Sequence, residues 1–215
     1  MTICAKAMRV AFVMFGLFAT PAWCAGPVLT PGQIQAAIQK GNQYKSADQF
    51  LEKGLKGKRI KIAGAMARDG ISKYATFFND WQFVAVESAA AHQQMRELTA
   101  EEVRSKGLLH VFVEVRGGGV VGVSRIDRRY QGGRAHLVLK AGDRILQPID
   151  KNMRRQSNDA AASLLWGATM RKITLDFAFD VSPADLDSPV TVILIDGDGN
   201  KHEQKADLKG VLNVD

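Results

Sequence analysis

The segment Asp196-Gly197-Asp198-Gly199-Asn200 sets oxygen-bearing side chains at alternate positions, as a calcium loop does at its positions one, three and five, and Asp207 stands at position twelve. Such a loop bends sharply at a glycine in position six, where this chain has Lys201 and therefore a positive charge. An apolar run leads in and a strand-like run leads out, so a hairpin turn accounts for the same residues, with Ca2+ on Asp196, Asp198 and Asn200 as the alternative. A second group is basic: Arg125, Arg128, Arg129 and Arg134 flank Tyr130 in a connection bounded by glycines. Guanidinium forks hold phosphate or carboxylate in two-point contact, which makes these five the candidate ligand-binding residues.

Catalytic patterns fail on spacing. His92, His110, His136 and His202 are scattered, and His202-Glu203 is followed by Ala206 where a zinc-protease helix needs its second histidine. On a strand, His110 and Glu114 share a face but stand about 13 Å apart, too far to grip one metal. Ser124 lies in Gly122-Val123-Ser124-Arg125-Ile126, which lacks the second glycine of a nucleophile elbow. Gly117-Gly118-Gly119 falls between expected strands, without the helix that a phosphate or dinucleotide site requires. Asp176 and Asp180 alternate along a strand and read as solvated carboxylates. No catalytic residue is assigned, and the chain reads as a non-enzyme.

The elements that would carry these groups begin after residue 25. Lys6 and Arg9, the apolar run Val10 to Ala19, and Thr20-Pro21-Ala22-Trp23-Cys24-Ala25 follow the three-part pattern of a secretory leader. Bulky Trp23 before Cys24 argues against a lipid-anchored cysteine, and Cys4 leaves with the leader, so no internal disulfide is expected. No later run of the 215 residues is long and apolar enough to span a bilayer. The whole chain carries +7; the leader holds two basic residues and no acidic one, which leaves +5. Arg125 to Arg155 holds nine basic and three acidic residues, Ile173 to Asp215 three basic and nine acidic, so the two stretches either attract each other or expose an anion-attracting face.

Thr30-Pro31 opens a helix with Ile34, Ala37 and Ile38 on one side and Gly41 at its end; Ser46 with Gln49 opens a second, stopped by Gly54. A strand over Ile60 to Met66 turns at Arg68-Asp69-Gly70 and returns through Lys73 to Phe78. Asp80 caps a helix to about Leu98 with Val84, Ser88, Ala91 and Met95 inward, and Thr99 with Glu102 caps a short one before Gly107. From Leu108 onward strands are expected at Leu109 to Val115, Val120 to Val123, Ala135 to Leu139, Arg144 to Ile149, Ile173 to Val181, Pro189 to Ile195 and Lys201 to Leu208. Residues 151 to 167 read as a long loop with a helical turn near Ala160 to Trp166.

The fold class is therefore α+β: helices and a small α/β segment over 26–107, then antiparallel strands over 108–215, packed as one unit. The strand rhythm from Leu108 to Leu208 resembles that of immunoglobulin-like β-sandwiches. The Cys-Trp-Cys signature of true immunoglobulin domains is absent, so the resemblance implies a sandwich and assigns no functional residue. The functional expectation is an exported cell-envelope module, periplasmic or secreted, that binds an anionic envelope component or an acidic protein face without catalysis. A hydrolase with a dispersed active site and a structural accessory subunit are the alternatives. Nucleic acid is not an expected partner of an exported chain.

Overall fold

The computed structural model describes residues 26–54, 58–62, 70–159 and 170–214. The leader, the strand end and turn expected over 63–69, and the helical turn expected near 160–166 lie outside the described residues.

Helix α1 (Pro31–Gly41) starts on a capping box in which the Thr30 side chain accepts the Gln33 N–H and the Gln33 side chain accepts the Thr30 N–H. A single turn, α2 (Ala47–Gln49), runs into a π-helical turn at Phe50–Gly54. Helix α3 (Asp80–Gln93) is capped by Asn79 with Gln82 as its reciprocal partner, one residue before the cap expected at Asp80. Helices α1 and α3 cross closely. A Cβ on Gly41 would lie 2.3 Å from the Ala85 carbonyl oxygen, so only glycine permits that approach.

One antiparallel sheet has the order β1 (Lys58–Lys61), β2 (Ile71–Phe78), β3 (Leu109–Gly118), β7 (Met170–Phe179), β6 (Asp150–Asp159). The other, also antiparallel, has β5 (Arg144–Leu146), β4 (His136–Ala141), β8 (Val190–Ile195), β9 (Lys201–Ala206). Neither sheet closes into a barrel. Their facing sides form the larger core, in which Phe77, Val111, Val113, Leu175 and Phe177 meet Leu137, Leu139, Val192 and Leu194. On the far side of the first sheet, Phe78 and Phe112 pack with Ile38, Phe50, Val84 and Ala85 of the helices. The architecture is three layers, helices on sheet on sheet, and β2 bonds to β3 along eight residue pairs across position 107.

Several expectations change. Val120 to Val123 is not a strand: Gly119–Tyr130 is a helix, α4, with Gly122, Ile126 and Tyr130 buried at a spacing of four. Gly119, at φ +69°, turns the chain out of β3 into that helix. The expected loop after residue 150 is in part the edge strand β6. Helix α3 stops at Gln93, and Met95 is 98 % exposed, not inward. Glu102 still accepts the Thr99 N–H at 2.9 Å, yet only a turn follows. Strand β7 is buried on both faces from Ile173 to Phe179, since helices and a second sheet cover it, and Asp176 is 4 % exposed, not solvated.

Candidate binding groove

The residues singled out in the sequence fall at the end of α4 and the β8–β9 turn. Asp196 to Asn200 is the connection of a hairpin whose flanks pair Ile195 with Lys201. The Asp196 carboxylate has no exposed surface and accepts the Asp198 N–H, the Asn200 N–H and the Asn200 side-chain amide at 3.0–3.1 Å. Burial alone would raise its pKa; these donors and the Arg129 charge outweigh that and lower it. Arg128 Nη2 and Arg129 Nε both donate to Asp198 Oδ2, at 2.7 and 2.8 Å. Arg134 Nη1 donates to the Arg128 carbonyl, Arg125 is half-buried, and Tyr130 sits fully buried in the core between the sheets. The arginine face and the acidic turn therefore hold each other, and a free anion would have to compete with Asp198 for the forks.

A different concavity lies on the helix side of the first sheet. Four opposed pairs of β3 and β7 form its floor: His110 with Ala178, Phe112 with Asp176, Glu114 with Thr174, Arg116 with Lys172. At the rise of an extended strand this floor is about 20 Å long. Three depressions of about 430, 190 and 290 Å³ follow it in turn. Glu87 borders the first and second, and Asp48, Leu51, Phe112 and Thr174 border the second and third, so the three form one groove. Helix α3 and the π-helical turn supply one wall through Val84, Glu87, Ala90 and Leu51.

The wider end is built on Asp80. At the first position of α3 it is not needed as cap, and its carboxylate reaches the α3–β3 loop. Oδ2 accepts from Ser105 Oγ (2.6 Å) and the N–H groups of Lys106 (2.7 Å) and Gly107 (2.8 Å). Oδ1 accepts from the Leu108 N–H (3.2 Å) and faces His110 Nε2 at 2.9 Å. Burial would raise the Asp80 pKa, but hydrogen bonds from His110 and Ser105, the attraction of His110 and the Gly107 N–H bring it down to about 2 from 3.8. A carboxylate so placed requires a proton on Nε2. The ring stacks on Phe83 at 3.8 Å, and Nδ1 is buried without a hydrogen-bond partner among the described residues.

At the opposite end Glu114 gathers three cations: Arg59 (2.9 Å), Arg116 (2.6 Å) and Lys172 (3.2 Å), the last also 3.1 Å from Asp48. Burial would raise the Glu114 pKa; Arg116 and Lys172 outweigh it and lower it. Arg59 also lies 4.5 Å over the Tyr74 ring.

None of the groove residues was singled out from the sequence as a site. His110 read as a lone polar residue and Asp80 as a helix cap. One local signal was present: Gln82 completes a capping box with Asn79, which leaves Asp80 spare for another role. Nothing in the sequence joins Asp80 to residues 25 to 30 positions later. No group of three or more His, Cys, Asp or Glu residues suited to a metal occurs among the described residues. Neither a protein-family model, nor a curated protein, nor a solved structure matches this chain.

Proposed function

We propose that the chain is an exported cell-envelope module that binds an extended segment of a protein partner, without catalysis, in the groove over β3 and β7. The observation that carries this reading is the run of four opposed pairs on one sheet face, bordered beside α3 and the π-helical turn by three adjoining depressions. The depressions follow about 20 Å of the two strands, the length of six residues of extended chain. Export rests on the leader pattern of residues 1–25, and no helix among the described residues is long and apolar enough to cross a membrane.

The immunoglobulin-like reading of the fold gains support from strand order. Taken as A, B, E and D, strands β2, β3, β7 and β6 follow the order of one immunoglobulin sheet, and β5, β4, β8 and β9 follow C′, C, F and G of the other. In that lettering the first strand comes from residues before 107, and the groove lies on the outer face of the A-B-E-D sheet.

Binding is favoured over catalysis because the reactive groups are committed. Ser105 donates to Asp80 and does not face His110 as a nucleophile, and Asp80 already accepts from the loop it pins. The hydrolase reading draws on the Asp80–His110 pair in a concave wall, and turnover of an ester or amide by the purified chain, lost in His110→Gln, would establish it. An anionic ligand at α4 is less favoured, since Arg128 and Arg129 are paired with Asp198.

The test is selection of displayed random peptides on the mature chain, followed by Ala90→Trp, which fills the middle depression from the α3 wall. Selected peptides are expected to lose affinity at least tenfold while the melting temperature holds. Undiminished binding to the variant would remove the groove as the site.

A further inference from the structure

We infer that the segment bound in the groove carries apolar side chains, and that Met95 and Ile149 contact them from the rims. This rests on the groove reading above and adds the chemistry of the partner and the residues that select it.

What the walls leave for a ligand is largely apolar. The lining of the middle depression includes Ala47, Leu51, Val86, Ala90 and Phe112. In the wider end, carboxylates are already engaged within the chain: Asp80 accepts from the α3–β3 loop, Glu102 from Arg96 and the Thr99 N–H, and Asp150 from the Lys151 N–H. Phe83, Val103 and Leu108 line the same cavity and are only half-buried. In an extended segment alternate side chains face the floor, so an apolar residue at every second position would bury its surface against these walls.

The second observation lies at the rims. Ile149 lines the wider cavity with 58 % of its surface open, and its N–H donates to the Ala178 carbonyl at 2.8 Å, so the backbone is fixed while the side chain stays uncovered. Met95, almost wholly exposed, falls between Gln94, which borders the middle depression, and Leu98, which borders the wider one. Its N–H donates to the His92 carbonyl and the Arg96 N–H to the Ala91 carbonyl, both at 3.0 Å, the pair of bonds that commonly ends a helix at a glycine. Met95 holds that position at φ +56°, the one non-glycine residue with positive φ among the described residues. Its Cβ costs free energy there that a glycine would not, and a side chain so exposed returns little packing to the fold. Strain kept at the edge of a concave site points to a contact made with a ligand, and an unbranched thioether adapts to apolar surfaces of varied shape.

The probes are two fluorescein-labelled hexapeptides, one alternating leucine with asparagine and one alternating serine with asparagine, read by fluorescence anisotropy with the mature chain. The leucine peptide is expected to bind at least tenfold tighter. Ile149→Thr, which keeps the branched shape and the N–H, and Met95→Gly are each expected to weaken it at least threefold. The melting temperature is expected to hold in Ile149→Thr and to hold or rise in Met95→Gly, so that affinity falls without a loss of stability. Equal affinity of the two peptides, or a leucine peptide indifferent to both substitutions but weakened by Ala90→Trp, would overturn the apolar contacts and leave the groove standing. A melting temperature lowered by Met95→Gly would show that the methionine serves the fold and would overturn its part. Binding that is absent throughout, or indifferent to Ala90→Trp, would overturn both readings.

Discussion

The Asp80 carboxylate shows how a single side chain organises a site it does not need to react in. Three backbone N–H groups, one hydroxyl and one imidazole converge on it, so truncation leaves several buried donors unpaired at once. Asp80→Ala is expected to cost about 3–5 kcal/mol, read as a shift in urea midpoint, because several buried donors lose their acceptor at once. The sign of the pH effect follows from its depressed pKa. Its contribution is fully present above 3.8, the ordinary value, and is lost as pH falls through about 2. Acid titration of stability should therefore slope over that window in the wild type and more weakly in Asp80→Asn; equal slopes would show that the pair contributes nothing. Arg128 and Arg129 of α4 divide in the same way. Arg128 is 60 % exposed at its side chain and its loss is expected to cost less than about 0.5 kcal/mol. Arg129 is 17 % exposed and bridges toward both Asp196 and Asp198, so Arg129→Ala is expected to lower stability by about 1–2 kcal/mol. A reversed ranking in thermal melts would mean that the turn is held by its own hydrogen bonds alone.

At the scale of elements, helix α4 and the β8–β9 hairpin dock as a pair. The Gly197 N–H donates to the Arg129 carbonyl at 2.8 Å, while Ile126 and Tyr130 anchor the helix in the core. Because Asp196 is already saturated by its own loop and Asp198 by two guanidiniums, added calcium is expected to leave the melting temperature unchanged. A reproducible rise that disappears in Asp198→Ala would restore the metal site. The α1–α3 crossing makes a second demand. Gly41→Ala places a methyl 2.3 Å from the Ala85 oxygen and 2.6 Å from the Ser88 Cβ, so the helices must separate. The expected loss is about 1–3 kcal/mol, and it should extend to Ser88, whose hydroxyl donates to the Ile38 carbonyl across the same crossing at 3.0 Å.

For the whole molecule, the sharing of strands across residue 107 decides cooperativity. Strand β2 supplies eight pairs to β3, and Phe77 enters the core between the sheets while Phe78 enters the core under the helices. Unfolding is expected to be a single transition by fluorescence and circular dichroism. A chain restricted to 108–215 would expose the β3 edge and the apolar side of Phe112, and is expected to give collapsed amide dispersion in NMR spectra. The opposed charge stretches also meet across the fold, at Arg128 and Arg129 with Asp198 and at Arg144 with Asp185. The basic excess of residues 125–155 is thus in part an internal complement to the acidic strands.

Local pattern was enough for the capped start of α1, the alternation of β7, the apolar run of β8 and the turn at Asp196 to Asn200, because each depends on neighbours within a few residues. The α+β class with two antiparallel sheets followed from the same signals. Helix α4 was legible in the spacing of Gly122, Ile126 and Tyr130, but three glycines and the β-branched Val120, Val121 and Val123 masked it. What only the tertiary structure decided is which polar faces are covered. Alternation placed Asp176 on the side opposite Leu175 and Phe177, but the sequence holds no term for the helix layer that closes over that side. The same holds for Asp80 and His110, thirty residues apart, whose meeting depends on where α3 lies across β3. Burial and long-range pairing are properties of the packed chain, so the groove, unlike the strands that floor it, emerged only when the layers came together.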